Sequence, residues 1–357
     1  MVRPLTIAVC LCLWNAPGWS KPLLGAYLWD GSLNGDRTVE GVGRSVRFLL
    51  DHGFQAVRIA ITPDNAKDFV GETCSDRPTQ DCVLDRLLGL DVFADRRLKL
   101  LQFTLAPFEA DNDAIGAGWD EGRLRQRVDE EFQKSISQIV SHDAASARQI
   151  VVSNWEIDNA IYCGSAYKYS SDPGFREKCY SRKKLPVSVE TRHFYEWISD
   201  RDEIVARARR PHLYHAPEMN NVLLFELFCG GACSRAPRFF DVMRKRASCS
   251  YSSYDAVNSG EIWRAVSLLR HKCEKIIIGE IGVSTDDSAE KQALFNDALR
   301  KLMAMPDVEA VFFWSAFADA RTRAAFFGLY DAKGDSLAIA RLPQEIRDEL
   351  QKSAAAR

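Results

Sequence analysis

No stretch of this 357-residue chain reaches the ~18 consecutive apolar residues that a membrane-crossing helix requires, so a helical span is excluded. Cys-x-x-Cys is absent and no cysteine spacing has the form of a zinc ribbon, which argues against a structural metal. Gly-x-Ser-x-Gly is absent too, and no Ser-His-Asp arrangement suggests itself. A formal net charge of −2 leaves no positive surplus for nucleic acid or for an acidic membrane surface. Repeats, low-complexity tracts and long linkers are missing as well. What remains, 46% apolar and 27% charged residues, is ordinary for a globular protein, and the length allows one large α/β domain or two smaller ones.

The N-terminus and the cysteines both point to export. Arg3 precedes an apolar stretch from Leu5 to Trp14, followed by Asn15, Pro17, Gly18 and Ser20. This is the layout of a secretory signal peptide over residues 1–20, leaving 21–357 as the mature chain. Removing Cys10 and Cys12 leaves eight of the ten cysteines. Eight allow ~105 connectivities; nearness in sequence favours Cys74 with Cys82, Cys163 with Cys179, Cys229 with Cys233, and Cys249 with Cys273. Four such disulfides imply an oxidising compartment, so a secreted or periplasmic protein is expected.

Along the mature chain, short apolar runs alternate with amphipathic stretches. Strand-like segments are Leu23–Asp30, Gln55–Thr62, Leu98–Pro107, Gln149–Glu156, His212–Asn220, Cys249–Asp255, Lys275–Ser284 and Glu309–Phe317. Helical spacing fills most of the gaps, and a last helix fits Pro343–Lys352. Repeated βα units over this length predict a single-domain (β/α)8 barrel, whose site lies at the C-terminal ends of its strands. A doubly wound sheet is the competing architecture, but no glycine-rich phosphate loop follows the first strand.

The strand ends carry a particular chemistry. In "KIIIGEIGVS" an apolar run ends on one acid, Glu280, between Gly279 and Gly282. An acid at the end of a strand buried on both faces is unfavourable unless it is paired or used. Other strand ends bring Trp29, Asp30, Arg58, Asn154, Glu156, Asp158, Glu218, Asn220, Tyr251, Tyr254 and Trp314. Carboxylates and amides hold sugar hydroxyls, and tryptophan faces stack on sugar rings. His212 and His215 lie three apart on one strand and face opposite ways, which argues against a metal site.

On these residues the chain resembles the clan-A retaining glycoside hydrolases, a superfamily of (β/α)8 barrels. The resemblance implies that Glu156 in "SNWEID" is the acid/base ending the fourth strand, and Glu280 in "IIIGEIG" the nucleophile ending the seventh. It implies that Arg58, with Tyr251 or Tyr254, keeps Glu280 ionised, and that Trp29, Asp30, Asn154, Asp158, Glu218, Asn220 and Trp314 hold substrate. A cis peptide at Trp314–Ser315 belongs to the same pattern, and a retaining pair of carboxyls would lie about 5–5.5 Å apart. Two registers are open at the fourth strand. The clan's asparagine before the acid/base is Trp155 here; alternatively "WEIDNA" sets Ala160 where an acid has been lost, leaving a silent glycan-binding barrel. The implied activity is hydrolysis of a β-linked poly- or oligosaccharide, or transglycosylation, by a monomer needing no cofactor or metal. Gly279 and Gly282 are expected to let backbone and substrate approach closely.

Overall fold

The computed structural model describes residues 21–28, 32–70, 74, 78–142, 148–233, 237–318, 327–341, 343–346 and 348. The expected signal peptide, Trp29 and Asp30 lie outside these residues, as does part of the last expected helix. Among the described residues there are nine parallel strands: β1 Leu23–Leu28, β2 Ala56–Ile61, β3 Leu100–Leu105, β4 Gln149–Ser153, β5 Leu213–His215, β6 Glu218–Met219, β7 Arg246–Ser252, β8 Cys273–Ile281 and β9 Val308–Phe313. Their order is β5-β4-β3-β2-β1-β9-β8-β7-β6, so the two ends of the sheet are consecutive strands in sequence.

Those two ends are one barrel strand in two pieces. The segment read as continuous from His212 to Asn220 breaks at Ala216 and Pro217, because proline has no N–H to give to a ladder. The break does not open the sheet. Ala216 donates to the Val152 carbonyl on one side (2.9 Å) and the Pro217 carbonyl accepts from Ser250 on the other (3.0 Å). The barrel therefore closes with eight strand positions, of which β7, β8 and β9 are the sixth, seventh and eighth. This is the expected (β/α)8 architecture.

Strand alternation then stacks the interior in layers. Ala56, Leu100, Val151, Ala216, Ile277, Ala310 and Phe312 form an apolar layer inside the barrel. Two residues further along the same strands the layer turns polar: Arg58 follows Ala56, Gln102 follows Leu100, Ser153 follows Val151, and Glu218 follows Ala216. All four are buried. The outer faces of the strands pack under helices such as Val39–Asp51, opened by Thr38, whose hydroxyl accepts from Gly41 at 3.1 Å.

All four cysteine pairs are disulfides, with Cα–Cα separations of 6.2, 5.8, 5.7 and 5.9 Å in chain order. Cys249–Cys273 joins β7 to β8 in the core, while the other three tie off connecting segments. Among the described residues no helix is long and apolar enough to cross a membrane.

Candidate active site

The polar layer of the barrel supports the site from below. Arg58, fully buried, grips Glu218 with both ends of its guanidinium; the Nη1–Oε1 contact is 2.6 Å. It also donates to the Gly279 carbonyl (2.7 Å) and to Thr104 Oγ1 (2.8 Å), and lies 3.9 Å above the Tyr27 ring centre. These bonds use most of what a guanidinium can donate. Gly279 is a glycine because this pair is so close. A Cβ there would collide with the Glu218 carboxylate, the Ser250 hydroxyl and the Arg58 guanidinium. The glycine therefore makes room for an internal ion pair rather than for substrate.

Above this layer stand Glu156 and Glu280, only 7% and 6% exposed. Glu156 lies just past β4, and the helix Ile157–Ile161 begins directly after it. Ala160, the position of the lost acid in the other register, is inside that helix. Glu156 Oε2 accepts from Asn220 Nδ2 (3.1 Å) and from Asn159 Nδ2. Asn159 is fixed in turn, since its Oδ1 accepts the Ala166 N–H at 2.8 Å. Glu280 is the last residue but one of β8, with Arg58 Nη1 3.7 Å from its Oε1. Its own carbonyl accepts from the Ser253 N–H (2.9 Å) and hydroxyl (3.0 Å), which anchors the strand end.

Three buried carboxyls thus share one guanidinium. Burial pushes Glu156 up to about 8, assisted by the negative charge of Glu218. Burial and the charges of Glu156 and Glu218 raise Glu280 well above the ordinary range, against the pull of Arg58. Glu218 is raised by burial too, but its direct contact with Arg58 holds it back. Full ionisation would leave two uncompensated charges in a low-dielectric pocket, so Glu156 and Glu280 titrate as a coupled pair that holds on to a proton. This corrects the expectation that Arg58 and a tyrosine hold Glu280 firmly charged. Arg58 is committed first to Glu218, and neither tyrosine donates to Glu280.

Several expected substrate contacts are instead internal. Tyr251 is fully buried and donates to Asp255, whose other oxygen accepts the Leu223 N–H at 2.8 Å. Glu218 and Arg58 are sealed against each other. Asn154, 1% exposed, bridges the end of β4 to β6, donating to the Glu218 carbonyl and accepting from its N–H, each at 3.2 Å. Asp158 accepts the N–H groups of Asn220 (3.2 Å), Asn221 (3.1 Å) and Phe239 (3.2 Å), and burial raises its pKa to about 7. It shapes the turn that aims Asn220 at Glu156.

What faces the mouth is a smaller set. Asn159, Asn220, Tyr254 and Trp314 are half-buried around the two glutamates. Tyr254 OH and Asn220 Oδ1 are inaccessible and without a hydrogen-bond partner among the described residues, and the charges of Glu280 and Glu156 both act on Tyr254. The Ser252 hydroxyl is similarly unpartnered at ordinary bond geometry, yet lies near enough to both glutamates to favour their charged forms. Trp314 is placed beside β8 by its N–H, which donates to the Ile281 carbonyl (2.9 Å), and its ring packs on Phe327. The Trp314–Ser315 peptide is cis. Sequence reasoning missed Asn159 and Ser252 as members of the site. Their signal was weak, because a helical asparagine and a strand-end serine are common in any fold. Among the described residues no group of three or more His, Cys, Asp or Glu side chains is arranged to hold a metal.

No protein-family model matches the chain, and no curated protein matches its sequence. Solved structures do match its fold. A GH5_18 from Streptomyces cattleya in complex with GlcNAc is 12% identical with a TM-score of 0.59, over 93% of this chain and 80% of that one. The exo-β-1,4-mannosidase from Opitutaceae bacterium strain TAV5 is 14% identical with a TM-score of 0.59, over 93% of this chain and 60% of that one. A GH5-4 broad specificity endoglucanase from Bacteroides salanitronis is 12% identical with a TM-score of 0.55, over 92% of each chain. The protein has the (β/α)8 barrel fold found in these glycoside hydrolases.

Proposed function

We propose that the protein is an exported, retaining β-glycoside hydrolase, with Glu156 as acid/base and Glu280 as nucleophile. The observation that carries this reading is the pair of coupled, buried carboxyls at the ends of β4 and β8, with the arginine beside Glu280 and two amides on Glu156. This asymmetry divides the labour. Of the coupled pair, Glu280 is the one beside the guanidinium, so the reactive form is taken as the one with the charge on Glu280 and the shared proton on Glu156. Both amide donors lie on Glu156 Oε2, so that proton sits on Oε1, free to be given away.

In the first step the Glu280 carboxylate attacks the anomeric carbon. The bond from that carbon to the glycosidic oxygen breaks as Glu156 delivers its proton to the leaving oxygen. In the second, the Glu156 carboxylate takes a proton from water as the water's oxygen displaces Glu280 from the sugar, which restores both groups. Two inversions leave the configuration unchanged. Tyr254 and Asn220, half-buried beside the two glutamates, are the side chains placed to meet the sugar hydroxyls, and Trp314 offers a ring face. The fold shared with exo- and endo-acting glycoside hydrolases supports this reading. The four disulfides support export.

The test is a panel of β-glucans, β-mannans and bacterial exopolysaccharides scored for new reducing ends, with the first-formed anomer followed by proton NMR. Retention of the β-configuration, lost in Glu156→Gln and Glu280→Gln, is expected. Activity undiminished in Glu280→Gln, or an inverted first product, overturns the assignment.

A further inference from the structure

The two amides on Glu156 come from two different segments, and each segment also carries an exposed aromatic ring. Asn159 lies on the helix that follows β4, and its Oδ1 holds the N–H of Ala166, the first residue of the helix Ala166–Ser171. The next residue is Tyr167, 56% exposed. Asn220 follows β6, and the segment running on from it reaches Phe228, 48% exposed, in the π-helical turn Phe225–Cys229. The two rings meet edge to face, with centres 5.3 Å apart. They are two of the four large apolar side chains so exposed among the described residues, and these two adjoin as one patch.

Two further features stiffen the pair. Both supporting loops are also cross-linked: Cys163–Cys179 precedes and follows the helix of Tyr167, and Cys229–Cys233 closes the turn beside Phe228. Arg176 joins the two, donating to the Tyr169 carbonyl (3.0 Å), the Ser170 carbonyl (3.3 Å) and Cys233 Sγ (3.0 Å). Held rings lose little freedom when a ligand arrives.

We infer that Tyr167 and Phe228 form a platform for the sugar ring on the leaving-group side of the scissile bond, so the preferred substrate extends past that bond. The side follows from the chemistry of the proposed function, on which this inference rests. Glu156 protonates the leaving oxygen, and the platform is built on the two segments that hold Glu156. A pyranose presents an apolar C–H face, and an aromatic face is its natural partner; the exposed ring pair supplies one on the segments that hold Glu156.

Two measurements test this. In the first, cellotetraose, mannotetraose and laminaritetraose are titrated by calorimetry into the Glu280→Gln protein, with and without Tyr167→Ala and Phe228→Ala. At least one tetrasaccharide should bind, and each alanine should weaken it about tenfold, the order expected for loss of one aromatic contact. In the second, kcat/KM of the active enzyme is compared on the bound tetrasaccharide and on the 4-nitrophenyl β-glycoside of the same sugar. Both alanine variants should lose about tenfold on the tetrasaccharide and little on the aryl glycoside, with Tyr167→Trp restoring the former. Failure of every tetrasaccharide to bind overturns the platform, as does an equal loss on both substrates. Platform-dependent binding by a wild-type protein that cleaves nothing would leave the platform standing and remove the proposed hydrolase activity instead.

Discussion

Replacing Glu156 by Gln separates the stability of the site from its chemistry. Glutamine has nearly the shape of a protonated glutamate and keeps an oxygen for the Asn159 and Asn220 amides, but it carries no charge at any pH. The folded-state pKa of Glu156, about 8, lies above its ordinary 4.5. Between those values the folded protein holds a proton that the unfolded chain has released, so stability is lost as pH rises through the window. The slope is at most ~1.4 kcal/mol per pH unit, which bounds the whole penalty near ~5 kcal/mol. Because Glu280 and Glu218 share protons with Glu156, a realistic figure is roughly 2–4 kcal/mol at pH 8. Glu156→Gln should therefore be more stable than wild type by that amount at pH 8 and nearly equal to it at pH 4.5. Turnover should fall by about two to four orders of magnitude, as for loss of a general acid. Urea unfolding at pH 4.5, 6 and 8 reads the first effect. A stability difference that does not change with pH, or a less stable variant at pH 8, would refute the claim that Glu156 is a buried acid held out of its ordinary range.

The other predictions draw on the same layer of residues. The pH profile of kcat/KM should be a bell whose alkaline limb lies near 8 and whose acid limb lies above the ordinary carboxylate range, since Glu280 must lose its proton and Glu156 keep it. Asn159→Ala removes a donor that favours the charged form of Glu156, so the alkaline limb should move up; a downward shift would contradict the hydrogen bond assigned here. Arg58→Met leaves Glu218 buried and unpaired, and a loss of about 3–5 kcal/mol in chemical unfolding is expected. Gly279→Ala forces a methyl group into the Arg58–Glu218 contact, with a loss of about 1–3 kcal/mol or more and lowered turnover. Cys249→Ala with Cys273→Ala removes a cross-link between β7 and β8 that spans 24 residues, and a loss of about 3 kcal/mol is expected by the same measurement.

The fold was legible because strand and helix periods are local properties of the chain. Runs such as Ile276-Ile277-Ile278 announce a strand buried on both faces before any neighbour is known. The disulfides were legible because joining the eight cysteines two by two in chain order gives the observed set. The break at Pro217 could also be suspected from proline alone, although the preservation of the barrel across it could not, because that depends on bonds to two other strands.

The residues of the site could be gathered from the sequence but not sorted. Strand-end position brought Arg58, Glu156, Glu218, Tyr251 and Glu280 to one rim, and nothing in the chain distinguishes an acid that meets solvent from one that meets an arginine. Tertiary structure made that distinction. It paired Glu218 with Arg58 across 160 positions, turned Tyr251 to Asp255, and left Glu156 and Glu280 with too little positive charge to neutralise them. The sequence by itself determined a barrel of alternating strands and helices with acids at its mouth, because periodicity and strand-end placement follow from backbone geometry. Only the tertiary structure decided which of those acids carry protons, because ionisation depends on burial and on charges contributed by strands far apart in the chain.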